Sequence, residues 1–183
     1  DTISISIDKD AVLRSGIMLP DSIRHLKGKE LKNAIPDKIY ISLKDMRILT
    51  KVDMLMLEML ANCNWERPLY MAISVGEVSK LKFDHYFVQE GLAFRFTPFD
   101  YKKWGNVKGD NNYAIDVERL YENVMNRYKY GGLDTPGLYL DETTLRTCYY
   151  HRRLFAQLAK ELIRQGDNTR ARKVLAYAEQ AVP

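Results

Sequence analysis

One short segment, ANCNWERPLYMAISVG (61–76), places polar and aromatic residues between an apolar helix and an apolar strand. Trp65 could offer a ring face to a sugar, and Arg67 could donate forked hydrogen bonds to its hydroxyl groups. Asn62 and Asn64 could contribute further polar contacts at this turn. Alternatively, the asparagines and the following proline only turn the chain, and Trp65 packs beneath the helix.

Two further groups of residues have types that could contact a ligand. Glu90 and Arg95 flank a glycine at the start of a predicted strand, where they could hold a hydroxyl-rich ligand or form a salt bridge that locks the turn. Trp104 lies between Tyr101 and Tyr113 in a predicted loop. These aromatics could bind a ligand or pack in the fold, and their exposure in a loop would favour binding. A weaker alternative makes Glu90 the acid of a hydrolase with a second carboxylate about 5 to 9 Å away.

The chain has no familiar catalytic signature and no spacing typical of metal ligands. It contains no GxSxG, HExxH, Walker or GxGxxG pattern. The three histidines are isolated, and the two cysteines, Cys63 and Cys148, lie far apart. The cysteines could pair in an oxidising compartment or remain small buried residues. We therefore predict no catalytic residue, no metal and no cofactor.

Charge and hydropathy argue against two classes of protein. The 28 basic and 24 acidic residues are interspersed and give a net charge of +4, so no basic stripe predicts nucleic-acid binding. No apolar run reaches the roughly 20 residues that cross a bilayer, and the first residues lack the pattern of a signal peptide. Because the chain opens within a predicted strand, we expect it to be a piece of a longer protein.

Hydrophobic periods predict mixed structure in the first part of the chain. Residues 2–8 and 38–43 alternate as strands with one buried face, and a short helix from Lys9 to Arg14 lies between them. The charged segment 21–36 is predicted to be irregular or weakly helical. After a capping pair, a helix begins that is predicted to be buried on more than one side, with apolar residues Val52, Met54, Leu55, Met56, Leu57, Met59 and Leu60.

Residues 69–75 form a nearly continuous apolar run, which predicts a central strand covered on both faces. Residues 78–90 are predicted to be helical or turn-like and to end at Gly91, and residues 92–96 are predicted to form another strand. The segment 101–113 is predicted to be a mobile loop and a candidate domain boundary.

Beyond this loop the chain is predicted to be helical. Asp116, Asp141 and either Asp167 or Asn168 are candidate caps of three helices. The inner side of the second helix is predicted to contain Leu145, Cys148, Tyr149, Phe155, Leu158, Ala159 and Leu162. The last two helices have the residue spacing of one tetratricopeptide-like unit. A lone unit cannot cover its own apolar face, so it must pack on neighbouring structure.

The predicted fold class is α/β or α+β. A small sheet of about four strands with covering helices occupies residues 1–114, and a tetratricopeptide-like helical region occupies residues 115–183.

Three segments of the chain resemble a known family. They are LTKVDMLMLEMLANCNWERPLYMAISV, FDHYFVQEGLAFRFTPF, and YGGLDTPGLYLDETTLRTCYYHRRLFAQLAKELIRQGDNTRARKVL. The most specific motifs are Asn-x-Asn-Trp-x-Arg-Pro-x-Tyr, from Asn62 to Tyr70, and Glu-Gly-Leu-x-x-Arg, from Glu90 to Arg95. Cys63 stands where the family pattern leads us to expect asparagine. The chain resembles the soluble C-terminal region of large bacterial polytopic membrane proteins, first catalogued as a domain of unknown function. These proteins are similar to glycosyltransferases that use lipid-linked sugars, including a eukaryotic protein O-mannosyltransferase relative.

The resemblance implies a location and a division of labour. The catalytic acids of such proteins lie in an external loop of the membrane half, which this chain lacks. We therefore expect the chain to lie on the periplasmic side of the cytoplasmic membrane, beside the membrane-embedded portion of its parent, and to be catalytically silent by itself.

Two functions follow as hypotheses. In the first, the chain is an accessory domain that helps hold a polypeptide or glycan acceptor. In the second, it is a protein-protein interaction module that uses its repeat-like helical face.

Overall fold

The computed structural model describes residues 2–44, 48–75, 84–107 and 113–182. The chain divides into two compact units. The first unit contains Asp1–Gln89 and Phe94–Ala114, and the second contains Glu90–Ala93 and Ile115–Pro183. The short turn at Glu90–Ala93 thus belongs with the later helical segment, although the residues on both sides of it belong to the first unit.

The first unit begins with a two-stranded antiparallel sheet. Strand β1 (Thr2–Ser6) pairs with β2 (Lys38–Ser42), with Ile3 opposite Ile41 and Ile5 opposite Ile39. The alternating isoleucines bury one face of this sheet, as their period predicts. Helix α1 (Lys9–Arg14) follows β1 and α2 (Gly28–Ala34) precedes β2, so the predicted strands and the predicted first helix are confirmed.

A second sheet of the first unit contains four strands in the order β3-β5-β4-β6. Their bounds are β3 (Tyr70–Ala72), β4 (Phe87–Gln89), β5 (Ala93–Phe96) and β6 (Ala114–Ile115). Strands β4 and β5 are antiparallel neighbours, with Phe87 opposite Phe96 and Val88 opposite Arg95. The predicted strand at 92–96 is confirmed.

Two predictions for this sheet are wrong. The run predicted as a central strand forms β3, which lies at an edge of the sheet and leaves Tyr70 half exposed. An apolar run alone does not determine which strands pair with it. Residues 87–89, predicted to be helical or turn-like, form β4 after one turn of 3₁₀ helix at Asp84–Tyr86. Asp84–Tyr86 form the predicted helical turn. Residues 78–83 of that prediction and residues 108–112 of the predicted loop lie outside the described residues.

Helix α3 (Lys51–Asn62) begins at the predicted cap. Thr50 Oγ1 accepts the Asp53 N–H at 3.2 Å, and the Asp53 carboxylate accepts the Thr50 N–H at 2.8 Å, which is a capping box. The buried face of α3 contains Asp53, Leu57 and Leu60, which lie at i, i+4 and i+7.

The prediction that α3 is buried on more than one side is wrong. Val52, Leu55 and Met59 occupy a different stripe of the helix, and Leu55 is 61% exposed. The buried face is therefore the one that carries the capping carboxylate. The predicted apolar stripe is divided, because Leu60 is buried whereas Val52, Leu55 and Met59 face solvent.

The second unit is helical, as predicted. Helix α4 (Val117–Glu122) is capped by Asp116 and continues as a π-helical turn at Asn123–Arg127. Helix α5 (Glu142–Arg164) is capped by Asp141, and α6 (Asn168–Ala181) is capped by Asp167. All of these caps are local, so the residues that form them could be found in the sequence.

Helices α5 and α6 pack as a pair around buried apolar residues, which include Phe155, Leu158, Ala159, Leu162, Ala171 and Val174. Two residues predicted on the inner side of α5 are exposed instead, Leu145 at 46% and Tyr149 at 70%. They lie in the first two turns of α5, whereas the contacts with α6 bury the later turns.

The fold is mixed α/β, with a four-stranded sheet, a two-stranded sheet and covering helices, followed by a C-terminal helical pair. This confirms the predicted fold class. That residues 1–114 and 115–183 are separate domains stays a prediction, as does the tetratricopeptide-like nature of the helical pair.

Candidate functional site

Trp65 is the centre of the turn that joins α3 to β3. Its side chain is 4% exposed, its ring stacks on Phe96 with centroids 5.7 Å apart, and its Nε1–H donates to the Ser6 carbonyl at 3.1 Å. Trp65 also has a positive φ of 62°, which is rare for a bulky residue and must be stabilised by its surroundings. Trp65 thus packs in the core, which is the second of the two alternatives that the sequence left open for this residue.

The polar neighbours of Trp65 are exposed and serve the turn. Asn62 Nδ2 donates to the Glu58 carbonyl at 2.9 Å and to Glu58 Oε1 at 2.8 Å, so it satisfies its own helix end. Asn64 has a φ of 48°, in the left-handed region that asparagine tolerates. Arg67 is exposed at the surface.

A small cavity adjoins this turn within the first unit. Trp65, Arg67 and Arg95 line it together with Ile17, Cys63, Pro68, Leu69 and Phe96. Its volume is about 10 Å³, and a single water molecule needs roughly 10 to 15 Å³. The structure therefore brings three of the candidate residues together, around a space that is too small for a sugar ring.

Arg95 is buried, and its Nη2–H donates to the Ser15 carbonyl at 2.7 Å. This contact ties β5 to the end of α1 within the first unit. Glu90 belongs to the second unit, and its hydrogen-bond partners Arg119 and Asn123 lie there too. The ion pair between Glu90 and Arg95 stays a prediction.

Glu90 holds the start of α4 in the second unit. Glu90 Oε1 accepts from Arg119 Nη1 at 3.0 Å, and the Glu90 carbonyl accepts from Asn123 Nδ2 at 2.6 Å. The Tyr128 hydroxyl accepts the N–H of Leu92 at 2.9 Å. We call this arrangement the turn clamp: the segment Glu90–Leu92 together with Arg119, Asn123 and Tyr128. It explains the Glu-Gly-Leu motif as a structural element.

The turn clamp requires glycine at position 91. A Cβ at Gly91 would lie 2.1 Å from the Tyr128 hydroxyl oxygen. Real Cβ atoms do not approach an oxygen so closely, so any side chain must displace Tyr128.

Asp116 brings a further carboxylate near Glu90 and Arg119. It caps α4 by accepting the Arg119 N–H at 3.1 Å, and its Oδ2 lies 3.6 Å from Arg119 Nε. Burial raises the pKa of Asp116 above its ordinary value, against the opposing effects of the Arg119 N–H and guanidinium. The site is thus a cluster of two carboxylates around the partly exposed Arg119, and only Glu90 is fully buried. Such an arrangement is typical of structural ion pairs.

Trp104 lies apart from these residues within the first unit. It is half-buried and packs edge-on against Phe99, with centroids 6.1 Å apart. Tyr101 was expected to be exposed, but it is fully buried and its hydroxyl donates to the Met18 carbonyl. That expectation is therefore wrong for Tyr101.

An open groove in the second unit was missed by the sequence interpretation. Its volume is about 480 Å³, within the range of roughly 300 to 1,000 Å³ of small-molecule sites. We call it the tyrosine groove. It is lined by Met125, Asn126, Tyr128, Lys129, Tyr130, Gly131, Gly132, Asp134, Tyr177, Gln180 and Ala181.

The tyrosines of this groove are fixed by the surrounding structure. The Tyr130 hydroxyl donates to the Val124 carbonyl at 2.7 Å, and burial raises the pKa of this hydroxyl. The Tyr130 ring lies 5.7 Å from Phe155 and 6.0 Å from Tyr177. The groove is not apparent from the sequence, because residues 125–134 and residues of α6 that follow nearly fifty positions later line it together.

The described residues contain no candidate metal centre. Among residues 2–44, 48–75, 84–107 and 113–182, no group of three or more histidine, cysteine or acidic side chains could hold a metal ion. Cys63 and Cys148 are free thiols, half-buried and buried respectively. No helix in the described part of the chain has both the length and the apolar character to cross a membrane.

Comparison with known proteins identifies the family. Neither the curated proteins nor the solved structures include a significant match. The family model of TMEM260-associated domain 2 matches residues 1–118, which is more than half of the chain. TMEM260 is related to O-mannosyltransferase-like membrane proteins, in agreement with the motif resemblance. The chain therefore belongs to the family TMEM260-associated domain 2.

Proposed function

We propose that the chain is a non-catalytic, extracytoplasmic accessory domain of a glycosyltransferase-like membrane protein. In this role it lies on the periplasmic side of the membrane and helps the membrane-embedded portion of its parent to bind a polypeptide or glycan acceptor. Membership of a TMEM260-associated family supports the membrane-protein context. The chain would act by binding and positioning the acceptor rather than by chemistry of its own.

The observation that carries this proposal is the tyrosine groove. It offers about 480 Å³, whereas the cavity beside Trp65 offers about 10 Å³. The groove combines half-buried aromatic rings with amide and charged side chains, the mixture typical of ligand sites. The geometry thus favours binding in the helical unit over binding at the Asn-Trp-Arg-Pro turn.

The contacts of Glu90 support a non-catalytic role. A hydrolytic acid must reach its substrate, and a second carboxylate must stand across the scissile bond. Glu90 is 6% exposed, and its carboxylate accepts a hydrogen bond from Arg119. The turn clamp thus uses Glu90 to hold the chain, which weakens the hydrolase alternative.

Titration calorimetry with the chain tests the proposal. Neutral oligosaccharides and unfolded peptides are added separately to the protein, and Tyr149→Ser serves as a control because Tyr149 is exposed outside the groove. We expect saturable binding of at least one class, unchanged in the control variant. Absence of binding in both classes by the folded protein would refute the acceptor-binding role.

A second candidate function is a protein-protein interaction module. The observation that favours it is a group of exposed apolar and aromatic residues before and within the first turns of α5: Leu138, Tyr139, Leu145 and Tyr149. Tyr139 is 88% exposed, so its ring is available for contact with a partner protein. If this function is correct, Leu145→Ser with Tyr149→Ser abolishes complex formation with the membrane-embedded parent, and acceptor binding is unchanged.

A further inference from the structure

The tyrosine groove is built from three parts of the second unit. Met125 and Asn126 come from the π-helical turn after α4, further lining residues lie between Tyr128 and Asp134, and α6 contributes the remaining ones. These parts meet through contacts among aromatic rings, so the groove is formed before any ligand arrives. Preformed sites bind more tightly because little ordering is needed on binding.

The aromatic lining suits a flat apolar ligand face. Tyr128, Tyr130 and Tyr177 are all half-buried and line the groove. The hydroxyls of Tyr128 and Tyr130 are engaged with backbone groups at 2.9 Å and 2.7 Å, which fixes both rings. Tyrosine rings present a large apolar area and lose little side-chain entropy on binding. The C–H face of a sugar ring is also flat and apolar, so it can stack on such a ring.

The polar lining suits a neutral ligand with hydroxyl groups. Asn126 and Gln180 have amides that both donate and accept, as a hydroxyl group does. Lys129 and Asp134 bring one positive and one negative charge, so the formal charge of the lining is zero. A phosphate or another strong anion requires an excess of positive charge, which this lining does not supply.

Two glycines expose backbone in the lining of the groove. Gly131 and Gly132 have φ values of 62° and 77°, and a Cβ at Gly131 would meet no atom within 4 Å. Backbone groups at glycine can be approached closely by a ligand. The groove therefore combines ring faces, amides and accessible backbone, the groups that recognise a carbohydrate.

We propose that the tyrosine groove binds a neutral carbohydrate, a mono- or disaccharide portion of a glycan. This inference rests on the proposed function and names the glycan as the class of acceptor that the domain holds. Tyr177 provides a stacking face, and Gln180 provides hydrogen bonds to ring hydroxyls. An unfolded peptide and a sugar phosphate are the competing ligand classes that the test must separate.

The test is calorimetric titration of the chain with mannobiose, maltose, lactose and chitobiose, with mannose 1-phosphate and an unfolded peptide titrated in parallel. We expect at least one neutral disaccharide to bind more tightly than the phosphate and the peptide. Tyr177→Ser should weaken that binding about tenfold or more through lost stacking, and Gln180→Ala about threefold to tenfold through a lost hydrogen bond. Glu179→Ala, an exposed neighbour on α6 that does not line the groove, should leave the affinity within about twofold.

The outcomes separate this inference from the proposed function. Binding of the peptide without any sugar overturns the carbohydrate assignment and leaves the acceptor-binding role intact. Sugar binding that Gln180→Ala and Tyr177→Ser do not weaken overturns the groove as the site. Loss of all binding overturns both. Thermal unfolding of each variant shows whether Tyr177→Ser is folded, and the exposed Gln180 keeps the test decisive if it is not.

Discussion

The hydroxyl of Tyr128 accepts a hydrogen bond from the N–H of Leu92 at 2.9 Å, beside the position that a side chain at Gly91 would occupy. Tyr128 also lines the tyrosine groove. One side chain therefore serves both the turn clamp and the candidate ligand site. A change at Gly91 should consequently affect stability and the shape of the groove together.

Gly91→Ala should destabilise the protein by about 2 to 4 kcal/mol, because an overpacked contact and a rare backbone angle each cost about 1 to 3 kcal/mol. The added Cβ would meet the Tyr128 hydroxyl oxygen at 2.1 Å, and the φ of Gly91 is 155°. Urea denaturation measures the change in free energy of unfolding.

The Tyr128→Phe background provides the matched control for Gly91→Ala. Tyr128→Phe removes the clashing oxygen but leaves the Leu92 N–H without its acceptor, at a cost of about 1 to 3 kcal/mol. The double variant should therefore lose less stability than the sum of the single variants. Strict additivity of the two losses would contradict the turn clamp.

Asn64 should tolerate glycine better than alanine. Its φ of 48° lies in the left-handed region, where a residue with a Cβ costs about 1 to 2 kcal/mol. Asn64→Gly should change the free energy of unfolding by less than about 0.5 kcal/mol, whereas Asn64→Ala should lower it by about 1 kcal/mol. Equal losses in chemical denaturation would show that Asn64 does more than form the turn.

Two of the three leucines of α3, Leu57 and Leu55, should respond differently to truncation. Leu57 is buried, and Leu57→Ala should cost about 2 to 3 kcal/mol of stability. Leu55 is 61% exposed on the same helix, so Leu55→Ala should stay within about 0.5 kcal/mol of the unchanged protein. Thermal unfolding of the two variants compares the same chemical change at a buried and at an exposed position. A larger loss of stability for Leu55→Ala than for Leu57→Ala would mean that a partner covers Leu55.

Stability should fall as the pH drops below about 6.5. Burial lowers the pKa of His151 below its ordinary value of 6.5, and burial also lowers the pKa of His85. The unfolded chain then binds protons more readily than the folded chain, so the stability present above pH 6.5 is lost as the pH falls through the lowered pKa.

His151→Phe tests this pH dependence. His151 lies between the rings of Tyr128 and Tyr130, at 6.2 Å and 5.3 Å, so an aromatic replacement retains these contacts. Chemical denaturation measures the free energy of unfolding at pH 7.5 and at pH 5.5. Between these two pH values, His151→Phe should lose less of this free energy than the unchanged protein. His25→Phe, at an exposed position, is the control, and an unaltered pH dependence in His151→Phe would contradict the assignment.

Much of the fold could be predicted because its signals are local. The helix caps at Thr50, Asp116, Asp141 and Asp167 act over three residues, and the isoleucines of β1 and β2 have a strict two-residue period. The apolar stripe of α3 misled the prediction, because periodicity identifies an apolar face but not which face is covered. Its orientation depends on packing with distant parts of the first unit.

The candidate site was harder to predict because non-local contacts define it. The partners of Glu90 are Arg119 and Asn123, about thirty residues later in the chain. The walls of the tyrosine groove come from the π-helical turn and α6, which no sequence motif connects. The turn at Trp65 between a helix and a strand could be predicted from its asparagines and proline, but the burial of the Trp65 side chain in the core could not.

Trp65 and Tyr177 have separable roles in this proposal: Trp65 holds the fold, and Tyr177 in the tyrosine groove holds the acceptor. The decisive experiment measures ligand affinity, by calorimetry with the best-binding sugar or peptide, for Trp65→Phe and Tyr177→Ser in parallel with their thermal unfolding. We predict that Trp65→Phe lowers the unfolding temperature and keeps the affinity within about twofold, whereas Tyr177→Ser weakens binding about tenfold. Loss of binding in Trp65→Phe at unchanged stability, with full affinity in Tyr177→Ser, would contradict both roles.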